Sequence, residues 1–167
     1  MAKGQYESKR VKATVASRSV PGSAFPYNPG VVQVTNSPLR TQELASKFAM
    51  RLSGGECIAL HGDLGAGKTQ FVRGLVRGLG GNERAVSSPT FVLLNVYQTP
   101  RFAVYHLDAY RVGGADEFEA IGFAELLEQG GVVVVEWADR VAELLPPNAI
   151  HIRLSAVSRM QRRIEFP

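Results

Sequence analysis

The 167-residue chain has one cysteine, one tryptophan and no apolar run long enough to cross a bilayer. A single cysteine excludes an internal disulfide. Cys57 lies in the apolar run Cys57-Ile58-Ala59-Leu60, where a cysteine acts as a small buried hydrophobe. The N-terminus lacks a continuous apolar core, which argues against a secretory signal. A reducing, cytoplasmic setting is the natural reading. Residues 1–30 carry Lys3, Lys9, Arg10, Lys12 and Arg18 against a single acid, Glu7. The net charge of +4 therefore sits entirely in that segment, and the remainder is balanced. The segment is rich in Ser, Gly and Pro and has no periodicity, as in a mobile extension, a leader or a transit peptide. Its charge is weak support for nucleic-acid binding, since basic tails are commonly just solvated.

Residues 31–167 have the length and apolar content of one domain. Val31 to Thr35 alternates as a short strand. Ser37-Pro38 reads as an N-cap followed by proline in the first helical turn, opening a helix to about Leu52. Cys57 to Leu60 is a buried strand, and Lys68 to Leu79 an amphipathic helix stopped by Gly80-Gly81. Phe91 to Tyr97 and Phe102 to Leu107 read as a hairpin. Asp116 to Gln129 reads as an acidic helix interrupted at Gly122, Val132 to Val135 as a strand covered on both faces, and Ala138 to Leu145 as a short helix before Pro146-Pro147. Ile150 to Leu154 and Arg163 to Phe166 are terminal strands. The alternation predicts an α/β fold, a P-loop NTPase-like three-layer sandwich with a mostly parallel sheet and an antiparallel hairpin.

Gly62-Asp-Leu-Gly-Ala-Gly67-Lys68-Thr69 fits the phosphate-binding pattern G-x-x-x-x-G-K-[ST] without departure. A buried strand leads in and a helix leads out, which is the context the motif requires. Its glycines let backbone N–H groups approach phosphate oxygens, and the helix presents its positive end to the same anion. Lys68 supplies a point charge for the outer phosphates, and Thr69 a hydroxyl for Mg²⁺. The expected ligand is Mg-ATP, and the expected reaction is its hydrolysis.

A metal site of this kind needs a carboxylate. Glu136 ends the run Val132-Val-Val-Val135, at the carboxyl end of a buried strand where open α/β sheets bind ligands. It could bind Mg²⁺ directly, bind through water, or orient the attacking water. A second cluster, Tyr105-His-Leu-Asp108-Ala-Tyr-Arg111, also follows an apolar strand. Asp108 could hold a metal-bound or attacking water, and Arg111 could neutralise phosphate charge or pair with an acid. His106 reads as structural or partner-facing, because phosphoryl transfer needs positioning and charge more than strong proton abstraction. Ser87-Ser88-Pro89-Thr90-Phe91 suits a loop that senses the γ-phosphate.

Four blocks, Gly62 to Thr69, Ser88-Pro-Thr-Phe91, Tyr105 to Arg111 and Val135-Glu-Trp137, stand in the order and spacing of the TsaE (YjeE) family of tRNA threonylcarbamoyladenosine biosynthesis ATPases. The resemblance covers about residues 31 to 167. It implies a small bacterial ATPase that works with the TsaB–TsaD complex, which places threonylcarbamoyl on a tRNA adenosine; the ATP cycle supports repeated turnover of that complex. By position it implies that Thr69 and Glu136 bind Mg²⁺ and that Leu64, Gly65, Ala66, Gly67, Lys68 and Thr69 hold the phosphates. Asp108 and Thr90 would act near the γ-phosphate, Trp137 beside the site, and Pro38 and Ser158 near the adenine. Three features depart from the pattern: residues 1–30 lie outside it, Ala138 stands where proline is common, and the C-terminal strand region is short. A small-molecule kinase also uses a P-loop, with Arg159, Arg162 and Arg163 as candidate lid residues, but no long lid insertion is present. A nucleotide-gated binding module with little hydrolysis is the other alternative. Neither Asn-Lys-x-Asp nor Asp-x-x-Gly occurs, which disfavours a GTPase.

Overall fold

The computed structural model describes residues 30–167. The basic segment read over residues 1–30 lies, apart from Gly30, outside the described residues. The elements run β1 (Val32–Thr35), α1 (Pro38–Ala49), β2 (Cys57–His61), α2 (Lys68–Gly78), β3 (Leu94–Tyr97), β4 (Val104–Asp108), α3 (Ala115–Glu119), α4 (Phe123–Glu128), β5 (Val132–Glu136), β6 (Ile150–Ala156) and β7 (Arg162–Glu165). Tight 3-10 turns occupy Glu83–Ala85 and Ala138–Leu144.

One seven-stranded sheet has the order β1-β7-β6-β2-β5-β4-β3. The four middle strands, β6, β2, β5 and β4, are parallel, and antiparallel strands flank them on both sides. The expected α/β class and largely parallel sheet are thus present. Strand periodicity divides the core in two. Ile58, Leu60, Val132, Val134 and Ile152 face α1 and α2 and pack with Phe48, Phe71, Val72 and Leu75. Cys57, Ala59, Val133, Val135 and Leu107 face the other way, onto Phe118, Phe123, Leu126 and Val141. A strand covered on both faces must be apolar at every position, hence the continuous run Val132–Val135. Burial pushes the Cys57 thiol up to about 12, as expected of an inert core cysteine.

Helix α1 starts as expected, with the Ser37 hydroxyl accepting from the Arg40 N–H at 3.2 Å and proline in the first turn. Two elements differ notably from the sequence reading. The strand expected from Phe91 starts at Leu94, because the Leu93 N–H bonds back to the Pro89 carbonyl at 2.7 Å and Leu93 takes φ 65°. The chain is still turning there and cannot join the ladder. As expected, the acidic helix divides into α3 and α4 around Gly122, at φ 81°. The segment after Trp137 is a 3-10 turn kinked at Val141 rather than an α-helix.

The two long helices touch through glycine. A Cβ built on Gly74 would lie 2.1 Å from the Gln42 carbonyl oxygen, and one on Gly78 would lie 2.4 Å from that of Ser46. Gly74→Ala therefore sets two terms against each other. The intrinsic helix gain is about 1 kcal/mol, and forced separation of packed helices costs about 1–3 kcal/mol. The clash is with backbone, so the second term wins. Gly74→Ala is expected to lower the urea midpoint with an unchanged slope, and a raised midpoint would show that the helices separate freely.

Candidate functional site

The parallel register sets the site. Leu60 on β2 is level with Glu136 on β5, which is level with Asp108 on β4. Both acids therefore stand at the carboxyl ends of adjacent central strands, and β2 runs straight into the phosphate loop. Gly62 makes that exit possible: its φ is 134°, and a Cβ there would sit 2.1 Å from the Leu154 carbonyl oxygen. Helix α2 then begins behind Gly67, which has no side chain to cap it. Its first-turn N–H groups are left without a side-chain acceptor, at the helix end that favours an anion.

A cavity of about 530 Å³ opens there, in the usual size range for a small-molecule site. Leu64, Gly65, Gly67, Lys68 and Thr69 line one part, and Thr90, Asp108, Glu136 and Trp137 line the opposing part. Pro38, Thr41, Arg159, Met160 and Arg162 are also among the lining residues. Two residues of the sequence reading are not among the lining groups. Ala66 is buried, and its N–H closes the loop onto the Asp63 carbonyl at 3.1 Å. Ser158 sits in the β6–β7 turn, with its hydroxyl accepting from the Gln161 N–H. Its neighbours Arg159 and Met160 reach the cavity instead.

Lys68 is almost fully buried. Its ammonium donates to the carbonyls of Gly62 at 2.5 Å and Asp63 at 3.0 Å, and lies 3.8 Å from the centre of the Trp137 ring. Burial pushes it below the ordinary lysine value, while Glu136, Asp108, Asp63 and Asp139 pull it back up. Thr69 donates its hydroxyl to Glu136 Oε1 at 2.9 Å. A hydroxyl beside a buried carboxylate is a hard-oxygen pair that fits Mg²⁺, which keeps waters and phosphate oxygens as its other ligands. No cluster of three or more His, Cys, Asp or Glu able to hold a metal exists among the described residues, so an all-protein metal cage is not on offer there.

Asp108 is fully engaged. Its Oδ2 accepts from the Ser88 hydroxyl at 2.9 Å and the Thr90 hydroxyl at 2.7 Å, and its Oδ1 accepts from the Tyr110 N–H at 2.8 Å. The carboxylate thus fastens the Ser87–Phe91 loop over the site. His106 is completely buried, with Nε2 at 2.9 Å from Glu136 Oε1, so it does not face a partner. Arg111 does not pair with an acid; its guanidinium stacks 4.3 Å from the centre of the Phe91 ring. Arg162 went unassigned to the phosphate loop in the sequence, yet its Nε donates to the Gly65 carbonyl at 3.1 Å across 97 residues. No motif announces such a contact, nor the place of Thr41 and Met160 in the lining.

The model of the family described as threonylcarbamoyl adenosine biosynthesis protein TsaE matches residues 35–164. The chain belongs to the TsaE family. Curated relatives named tRNA threonylcarbamoyladenosine biosynthesis protein TsaE include that of Rickettsia prowazekii, 38% identical over 76% of this chain and 88% of the relative. Those of Bacillus subtilis (38% identical, 79% and 82% covered) and Treponema pallidum (40% identical, 78% and 96% covered) are equally close. The crystal structure of Bacillus subtilis YdiB superposes with a TM-score of 0.64 at 31% identity, covering 82% of this chain and 84% of that one. All four blocks that carried the resemblance fall inside the TsaE match.

Phosphate binding beside Lys68 is expected to have an alkaline limit set by the environment of the ammonium. A phosphate beside Nζ holds its proton more firmly than the ligand-free site does. Affinity is therefore complete below the ligand-free pKa and falls as pH rises through it. Because that value lies below the ordinary 10.5, the decline begins at lower pH than an unshifted lysine would give. Calorimetry of ATP-analogue binding from neutral into alkaline pH checks this, with Lys68→Ala expected to bind weakly and without that decline.

Proposed function

We propose that the chain is a Mg²⁺-dependent ATP hydrolase that serves tRNA threonylcarbamoyladenosine formation in the cytoplasm as the partner of a TsaB–TsaD complex. The observation that carries the reading is the Thr69–Glu136 hydrogen bond at the mouth of an intact phosphate loop. Family membership ties that site to the tRNA modification named for its relatives. Among the described residues no helix is long and apolar enough to cross a membrane.

In the reaction, water attacks the γ-phosphorus, the bond to the bridging oxygen breaks, and ADP and phosphate leave. Backbone N–H groups of the Leu64–Thr69 loop, other than that of Ala66, which closes onto the Asp63 carbonyl, hold the phosphates, and Lys68 exchanges its two carbonyl partners for their oxygens. Thr69 and Glu136 would hold the metal, which when bound neutralises charge on the phosphates. Thr90 carries its proton toward Asp108, so a lone pair not facing the Ser88 hydroxyl at 2.7 Å accepts from the attacking water. Asp108 then acts by fixing Thr90, and the water is positioned by Thr90 or Glu136. Pro38, Thr41 and Met160 supply the apolar part of a base pocket.

Two features support a partner-dependent cycle over a kinase. Arg162 is engaged by the carbonyls of Gly65, Ser158 and Gln161, so it is not a free lid arginine, and Arg163 pairs with Glu165. Phe91 and Val92, next to Thr90, are 80% and 64% exposed, as suits a loop that completes itself against another protein.

Phosphate release measured with and without purified TsaB–TsaD tests the reading. Strong stimulation is expected; ATP binding without turnover in either case would remove the hydrolase assignment. Glu136→Gln should lower the Mg²⁺-dependent rate about 100-fold, on the scale of the several kcal/mol a metal ion's charge contributes. Full activity would place the metal elsewhere. The domain is proposed to be residues 31–167, since the cavity lining begins at Pro38 and ends at Arg162. Deleting residues 1–29 should leave the basal rate unchanged, and a large loss would make that segment part of the site.

A further inference from the structure

Glu136 uses its two oxygens unequally. Oε1 accepts twice, from the Thr69 hydroxyl at 2.9 Å and from the His106 imidazole at 2.9 Å, whereas Oε2 takes no hydrogen bond from the described residues. The carboxylate lines the cavity. An ionised carboxylate only accepts, so His106 presents Nε2–H to it. The other ring nitrogen, Nδ1, faces the Tyr97 hydroxyl at 3.4 Å. That hydroxyl accepts from the Ser87 N–H at 3.3 Å, and its single proton is shared between two acceptors, the Ser87 carbonyl at 3.1 Å and Nδ1; directed to Nδ1, it completes the path. A continuous chain therefore runs from Thr69 through Glu136, His106 and Tyr97 to Ser87, the first residue of the loop that carries Ser88 and Thr90.

We infer that His106 is a positioning residue: it pins Oε1 of Glu136 so that Oε2 is the oxygen presented to the metal, and through Tyr97 it ties that choice to the Ser87–Thr90 loop. The inference deepens the proposed function and rests on its assignment of Glu136 to Mg²⁺. A carboxylate held by one donor alone can rotate about its final bond. Two donors on one oxygen from opposite elements, α2 and β4, remove that freedom. Outer partners of this kind are worth roughly 10- to 100-fold in metal affinity. The burial of His106 gives it no contact with solvent or ligand, so its action can only pass through Glu136 and Tyr97.

A simple core histidine would be indifferent to which nitrogen is kept, and this separates the two roles. The amide nitrogen of glutamine lies near the place of Nε2, and that of asparagine near the place of Nδ1. ADP affinity is measured by calorimetry on the full chain, with Mg²⁺ and with a chelator, and the ratio of the two is the Mg²⁺ gain. His106→Gln is expected to keep the wild-type gain within about threefold, and His106→Asn to lose about tenfold or more, with metal-free affinity unchanged in both. Equal gains in the two variants would overturn the inference. If His106→Asn does not fold, Tyr97→Phe removes only the hydroxyl at the far side of the imidazole. A reduced gain is expected there, and an undiminished one overturns the proposal. A wild-type chain with no Mg²⁺ gain would instead remove the metal reading of Thr69 and Glu136, an outcome distinct from failure of the His106 role alone.

Discussion

The bond from the Thr69 hydroxyl to Glu136 is the constraint on which the rest of the structure depends. It joins the first turn of α2 to the end of β5, two elements 67 residues apart in sequence. For these atoms to meet, β2 and β5 must run parallel and in the register that sets Leu60 beside Glu136. The phosphate loop must also turn at once after His61, which only a residue without Cβ can do under the Leu154 carbonyl. The helix must then lie flat on the sheet, and the tight α1–α2 contact at Gly74 and Gly78 holds it there. Packing, register and turn chemistry thus converge on one hydrogen bond.

Charge explains why the neighbouring acids are so thoroughly bonded. Lys68, Asp108 and Glu136 are all buried within one concavity. Buried charges persist only when paired and hydrogen-bonded. Each carboxylate here takes donors from more than one element, and the ammonium takes two carbonyls and an indole face. The two carboxylates make a local negative charge suited to a divalent cation, while Lys68, Arg159 and Arg162 in the same lining leave the cavity as a whole with one net positive charge, suited to a polyphosphate. Metal and nucleotide are for this reason expected to bind as a unit.

Much of this was legible in the sequence because it is local. The Gly62–Thr69 pattern, the apolar run before Glu136 and the Ser37-Pro38 helix start each depend on neighbours within a few residues. The division of the acidic segment at Gly122 was also legible, since glycine marks a break in any helical pattern. What was not legible depends on long-range contact. The Phe91–Leu93 segment reads as strand by composition, but Asp108 draws Ser88 and Thr90 inward and the chain turns instead. Arg162 reads as a lid arginine by residue type, yet the β6–β7 hairpin delivers it to the Gly65 carbonyl. Ser158 and Met160 are two residues apart on the same turn, and no periodicity decides which of them faces the cavity. His106 is the sharpest case, because its partners come from β3 and β5 only after the sheet is assembled.

Trp137 shows how the free site is kept ready. It adopts φ 57°, a left-handed conformation that costs a bulky residue about 1–3 kcal/mol. The conformation turns the chain sharply after Glu136, and three contacts hold it there. The indole receives the Lys68 ammonium on its face and packs against Tyr110 at 4.9 Å. Two residues on, Asp139 bonds His61 Nδ1 at 2.8 Å, fastening the turn to the end of β2 just before the phosphate loop. A phosphate that takes the ammonium must therefore compete with Trp137 as well as with two carbonyls. Losing that cation removes one of the three restraints on a strained residue, so phosphate binding and the conformation of the Trp137 turn are energetically coupled. The coupling needs no motion of the sheet, because it runs through side-chain contacts made at the Trp137 turn itself.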